Sequence, residues 1–151
     1  MVWALISTQG TGTLHFVNGM VDSRQYSEVI QTKMLPQARE WFPDGNYVFM
    51  HDKAPCHMAK CVSQVLSETG IEVLPWPGNS PDLNPIENVW NYVKQRVRAG
   101  QEITSQPQLK DRLLQVWAQD PGTAQMVQKC IRSTPDRVAA AIAARGGISK
   151  Y

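Results

Sequence analysis

Leu74-Pro75-Trp76-Pro77-Gly78-Asn79-Ser80-Pro81-Asp82-Leu83-Asn84-Pro85-Ile86-Glu87-Asn88-Val89-Trp90 reads as a stiff loop that runs straight into a helix. Pro75, Pro77 and Pro81 fix φ through the loop and keep it out of helical structure. Asn84 can be an N-cap, Pro85 fits the first helical position, where its missing N–H costs nothing, and Glu87 stands at the third. Ile86, Val89, Trp90, Val93 and Val97 continue as one apolar stripe, and Gly100 closes the helix. Glu87 is therefore expected on the first turn of a helix, behind a loop with little freedom.

Working outward, Tyr47-Val48-Phe49-Met50-His51-Asp52 reads as a buried strand with Asp52 at its C-terminal end. Pro55 is expected to start a helix with Val62, Val65, Leu66 and Thr69 inward, ended by Gly70. Ile71 to Leu74 makes a second short strand. Near the N-terminus, Val2 to Ser7 and Thr13 to Val17 flank Thr8-Gln9-Gly10-Thr11-Gly12 as a hairpin. From Ser23, a candidate N-cap, to Trp41 the residues Tyr26, Val29, Ile30, Leu35 and Ala38 recur at helical spacing. Pro36 predicts a kink or break near Met34. Two more helices are expected over Gln106–Gln119 and Thr123–Ala144, with Pro121-Gly122 between them and a frayed end at Gly146-Gly147. Strands alternating with helices argue for an α/β layered domain with a helical tail. Residues 1–100 form its core and 101–151 a helical extension of the same domain. Asp52 and Glu87 can face one edge of such a sheet.

The chain has 151 residues, 42% of them hydrophobic and 19% charged, with a net charge of +2. That excludes a disordered tail, a coiled coil and a collagen-like fibre. No apolar run approaches the ~18–20 residues that span a bilayer, so no membrane partner is expected. The three Cys form no dense framework, which favours a reducing compartment. The charge permits nucleic-acid binding without demanding it.

Two acids in Pro-rich surroundings are the chemical lead. Hard divalent cations take carboxylate oxygens, and two such ions ~3.5–4 Å apart can activate a water and stabilise the leaving oxygen of a phosphodiester. His51-Asp52-Lys53-Ala54-Pro55-Cys56-His57 and the stretch Leu74 to Trp90 closely resemble the DDE transposases of the Tc/mariner superfamily. Val2-Trp3 with Gly10-Thr11-Gly12 and Leu14 resembles the segment that follows the family's first catalytic strand. The 34 residues between Asp52 and Glu87 match the Tc branch. The resemblance covers roughly residues 1–100.

The resemblance implies a ribonuclease H-like fold, a mixed sheet flanked by helices, here lacking the family's first, central strand. It implies cut-and-paste DNA transposition with two Mg²⁺ (or Mn²⁺) ions held by three acids. DNA would be the partner, as element ends and a TA target, with a homodimer and a nuclear location. Asp52 is then the second metal ligand and Glu87 the third. His51, Pro55, His57, Trp76, Pro77, Ser80, Pro81, Asp82, Asn84 and Pro85 build the surrounding loops. This chain departs from the pattern in three ways. The strand bearing the first Asp is missing, and Asp22 does not replace it. Lys53 stands where Asn is usual, and no helix-turn-helix pair precedes the core. A truncated and catalytically inactive copy, acting at most as a nucleic-acid- or partner-binding module, is the alternative expectation.

Plainer readings stand beside these. Glu87 could serve only as a capping-box partner of Asn84, and Asp52 as a turn residue before Pro55. His51, Cys56, His57 and Cys61 do not match a common zinc spacing. Asn91, Lys94 and Arg98 share one side of the helix after Glu87, as a phosphate-contacting face or simply a solvated one. Trp3, Trp41, Trp90 and Trp117 read as core; Trp76, between two prolines, is the one expected to meet a base or position a loop.

Overall fold

The computed structural model describes residues 1–78, 80–99 and 102–144. The chain divides into two compact units. One holds Met1–Leu5 and Thr13–Asn79, the other Ile6–Gly12 and Ser80–Tyr151. The expected Gly100 stop and the Gly146-Gly147 end lie outside the described residues. No helix among those described is long and apolar enough to cross a membrane.

The hairpin pairs β1 (Val2–Ser7) with β2 (Gly10–Phe16) in a small antiparallel sheet. Its turn is tighter than the expected Thr8 to Gly12. Gly10 adopts φ 124°, open to glycine and rarely to other residues, so the return strand begins there. At the open end the Met1 amino group donates to the Val17 carbonyl at 3.0 Å and the Val17 N–H donates back at 2.9 Å.

In the first unit, α1 (Ser23–Val29), a π-helical turn (Ile30–Met34) and α2 (Leu35–Trp41) follow one another without a break. The kink expected from Pro36 takes this form because Pro36 has no N–H for the carbonyl four residues back. The turn widens, and the Leu35 N–H reaches back to the Ile30 carbonyl. The cap is Asp22 rather than Ser23. Its Oδ1 accepts from the Gln25 N–H at 2.8 Å, and the Gln25 side chain accepts from the Asp22 N–H at 3.1 Å. Tyr26, Ile30, Met34, Leu35 and Ala38 pack against Phe49, Val62 and Leu66 as this unit's core.

Two further expectations change here. The segments over Tyr47 to Asp52 and Ile71 to Leu74 are extended, but they meet in a single parallel bridge, Phe49 to Val73. Two hydrogen bonds make it, Phe49 N–H to the Glu72 carbonyl and Leu74 N–H to the Phe49 carbonyl, both 2.8 Å. Parallel pairs are weaker per residue and normally need flanking strands. The helix α3 (Lys60–Glu68) starts five residues after Pro55, which instead opens a turn. Met58 and His57 donate to the Ala54 carbonyl and complete that turn before the helix begins. Val62 and Leu66 face inward as expected, and Gly70, at φ 68°, ends the helix.

The second unit is helical: α4 (Pro85–Arg98), α5 (Gln106–Gln119), α6 (Pro121–Arg132) and α7 (Thr134–Ala143). Val89, Val93 and Val97 form the buried stripe of α4, with Val116, Trp117, Val127 and Cys130 buried in the same unit. The single helix expected over Thr123–Ala144 is two. Pro121 takes the first turn of α6 under an Asp120 cap, and Pro135, in the first turn of α7, breaks the chain at Ser133. Asp120 also accepts from the Arg96 guanidinium at 2.8 Å, which holds its carboxyl below the usual carboxylate range. The hairpin tip belongs to this unit. Trp117 Nε1 donates to the Gly12 carbonyl and Gln128 Nε2 to the Thr8 carbonyl, both at 2.7 Å. The Trp117 ring stacks on Trp90 at 5.2 Å. Trp117→Phe keeps that stack and strands the Gly12 carbonyl. Denaturant unfolding should register a loss of about 1 kcal/mol.

Candidate active site

Asp52 ends the extended segment that Phe49 anchors, and its carboxylate is exposed. Its Oδ1 accepts from the Ala54 N–H at 3.0 Å, the short Asx turn that Asp before Ala-Pro favours. The same oxygen lies 2.7 Å from His57 Nδ1. Oδ2 takes no hydrogen bond among the described residues.

His57 is held in turn by an aromatic stack. Its ring lies 3.8 Å from that of Tyr26, which is 2% exposed. The Tyr26 hydroxyl meets His51 Nδ1 at 3.1 Å, and His51 packs on Phe49 at 5.2 Å. Burial pushes the Tyr26 hydroxyl pKa up, so it stays protonated. Burial, and then the neighbouring His57, push His51 down toward the neutral ring that can accept at Nδ1. The sequence placed Tyr26 only on an apolar stripe. Nothing in its spacing pointed to the two histidines, because the contact spans 25 residues. His51, Asp52, His57 and Trp76 line one cleft of about 360 Å³, closed below by Leu66, Ile71 and Val73. Trp76 is 8% exposed, which leaves little of its ring for stacking on a base. Pro55 and Pro77 are exposed.

Glu87 belongs to the second unit. The turn before it is tight: Leu83 N–H bonds to the Ser80 carbonyl at 3.3 Å and Asn84 N–H to the Pro81 carbonyl at 3.1 Å. Leu83, Asn84 and Pro85 are buried, Ser80 and Asp82 half-buried, and Pro81 exposed. Asn84 caps α4 through its side chain, which accepts from the Ile86 N–H at 3.3 Å. The capping box is not formed. The Asn84 N–H is already bonded to Pro81, and the Glu87 side chain makes no hydrogen bond among the described residues. Asn91, Lys94 and Arg98 follow on exposed positions of α4.

No cluster of three or more His, Cys, Asp or Glu placed to hold a metal occurs among the described residues. Individually the two acids fit a hard cation. Both are carboxylates on short, constrained backbone, Asp52 with one oxygen open and Glu87 released from capping.

The His51 environment fixes the sign of one pH effect. A histidine whose folded pKa lies below its unfolded value, about 6.5, favours folding above that value and loses the contribution as pH falls. Stability should drop on acidification below about pH 6.5. In thermal unfolding across that range, His51→Gln should show a shallower drop than the parent.

The chain matches the DDE superfamily endonuclease family over residues 1–110. It is 31% identical over 151 residues to the transposable element Tcb2 transposase of Caenorhabditis briggsae, covering 100% of this chain and 54% of that protein. It thus spans about half the length of the curated relatives it matches. Among solved structures, the Mos1 transposase catalytic domain with raltegravir and Mg superposes with a TM-score of 0.85 at 21% identity, over 99% of this chain and 76% of that one. The Mos1 paired-end complex with left transposon end does so with a TM-score of 0.84 at 22% identity, over 97% and 44%. These likenesses give the mixed α/β architecture its ribonuclease H-like fold. The chain belongs to the DDE superfamily endonuclease family, among the Tc/mariner transposase catalytic domains.

Proposed function

We propose that this chain is the strand-cleaving and strand-joining part of a Tc-type transposase, with Asp52 and Glu87 as ligands of Mg²⁺ or Mn²⁺. The observation that carries the reading is the divided labour at the start of α4. Asn84 alone caps the helix, and Glu87, free of that duty, sits on its rigid first turn. The motifs around both acids and the Mg of the Mos1 catalytic domain support the same reading. Once bound, two such ions would supply an activated water and stabilise the leaving oxygen of a phosphodiester.

The chain's own residues do the positioning. The Ala54 N–H and His57 hold one oxygen of Asp52 and turn the other outward. The rigid Pro81–Asn84 turn fixes the direction of the Glu87 stem. Lys94 and Arg98 offer donors to backbone phosphate along the exposed side of α4. Element ends with a TA target, assembly as a homodimer and a nuclear location belong to the same proposal. The transposon end in the Mos1 paired-end complex supports DNA as partner.

A second reading has one observation in its favour, the absence of a three-member ligand cluster among the described residues. On it, the segment cleaves nothing and only binds nucleic acid or a protein partner. The two separate in one assay. In a chain that also carries the rest of the relatives' length, Asp52→Ala and Glu87→Ala should each lower Mg²⁺-dependent nicking of element-end DNA. The loss should be roughly a hundredfold or more, beyond the 10–100-fold typical of an outer-shell change. Residues 1–151 alone should show salt-sensitive DNA binding without nicking. Nicking that survives in both variants contradicts the proposal.

A further inference from the structure

Arg137 is the only charged residue in the buried set among the described residues, at 6% exposure. It lies on α7, beyond the stretch that matches the family, residues 1–110. Burying a guanidinium is costly unless its donors are met. Here Nε donates to Ser133 Oγ at 3.0 Å and Nη1 donates to the Asp82 carbonyl at 3.2 Å. The first bond is local and fixes the stem to the break between α6 and α7. The second crosses 55 residues to the turn that delivers Glu87.

The internal bonds of that turn join Leu83 to Ser80 and Asn84 to Pro81, and the Asp82 carbonyl that Arg137 reaches lies between them. Two residues further on, Asn84 caps α4, and three beyond that stands Glu87. A shift of the Asp82 peptide would move the Asn84 side chain relative to the Ile86 N–H and tilt the first turn of α4. The planar guanidinium suits the task, since its donors are held in a fixed fork.

We infer that Arg137 is a positioning residue. It clamps the Asp82 carbonyl and thereby sets the direction in which the first turn of α4 presents Glu87. The role of Glu87 as a metal ligand rests on the function proposed above; the clamp itself does not.

Amide hydrogen exchange on the full chain without metal tests the clamp, and Mn²⁺ binding read by water-proton relaxation tests its consequence. Arg137→Met keeps the bulk and removes the donors. It should speed exchange at the Ile86 and Glu87 amides by about tenfold or more, as expected when a charge-assisted bond is lost. The amides of Val127 and Cys130 should keep their protection. Mn²⁺ binding should weaken in parallel, and Arg137→Lys, which retains a charged donor, should recover part of both. If Arg137→Met does not fold, Arg137→Gln, too short to reach Asp82, should show the same pattern. Unchanged exchange at Ile86 and Glu87, or a rise shared equally with Val127 and Cys130, overturns the clamp. Mn²⁺ binding weakened by Glu87→Gln but untouched in the Arg137 variants overturns the positioning role. Binding indifferent to Glu87→Gln overturns the proposed function instead, and altered exchange then still supports the clamp.

Discussion

A helix that carries an acid in its first turn faces a conflict, because the unpaired N–H groups there attract any nearby carboxylate. Here the side chain of Asn84 takes the Ile86 N–H, and Pro85 removes one orphan donor outright. The Asn84 N–H, which a glutamate at the third position would ordinarily accept from, is bonded to the Pro81 carbonyl instead. Glu87 is thereby kept on a fixed backbone while its carboxylate remains uncommitted. The Ser80–Asn84 turn, with its one proline, Pro81, leads into this arrangement, and Arg137 meets the same turn at the Asp82 carbonyl.

Asp52 is presented by a different device in the other unit. It stands at the end of an extended segment with only two backbone hydrogen bonds to its neighbour. Side chains make up for the thin sheet. The Asx turn to Ala54 and the 2.7 Å contact with His57 fix one oxygen, and the Tyr26 ring supports His57 from beneath. Burial keeps Tyr26 protonated and biases His51 to the neutral form, and the two are joined by a hydrogen bond of 3.1 Å between the hydroxyl and Nδ1. The arrangement places an apolar floor under a carboxylate that is itself exposed to water.

Local chemistry explains which parts of this were legible in the sequence. The Asn84-Pro85 start of α4, its Val89–Val93–Val97 stripe, the Gln106–Gln119 helix and the Gly70 stop depend on neighbouring residues, and the sequence displayed them. The resemblance of the motifs around Asp52 and Glu87 carried the family. Misplaced boundaries came from competition between two acceptable local signals. Asp22 outcompeted Ser23 as a cap because Gln25 completes a capping box with it. Pro55 was satisfied by a turn, so α3 waited until Lys60. Pro135 divided what periodicity joined. The stacking of Tyr26 on His57 and the reach of Arg137 to Asp82 had no sequence signal at all, because each joins distant residues through tertiary packing.

On the function proposed above, Asp52 and Glu87 are the carboxylates this chain offers to a divalent cation. The most direct measurement is a Mn²⁺ titration of protein carrying ¹³C-labelled Asp and Glu carboxylates, followed by paramagnetic broadening. The Asp52 and Glu87 signals should broaden at the lowest Mn²⁺, ahead of exposed acids such as Asp44, Glu72 and Asp136. Broadening spread evenly over the surface acids, with Asp52 and Glu87 no more sensitive than the rest, would contradict it.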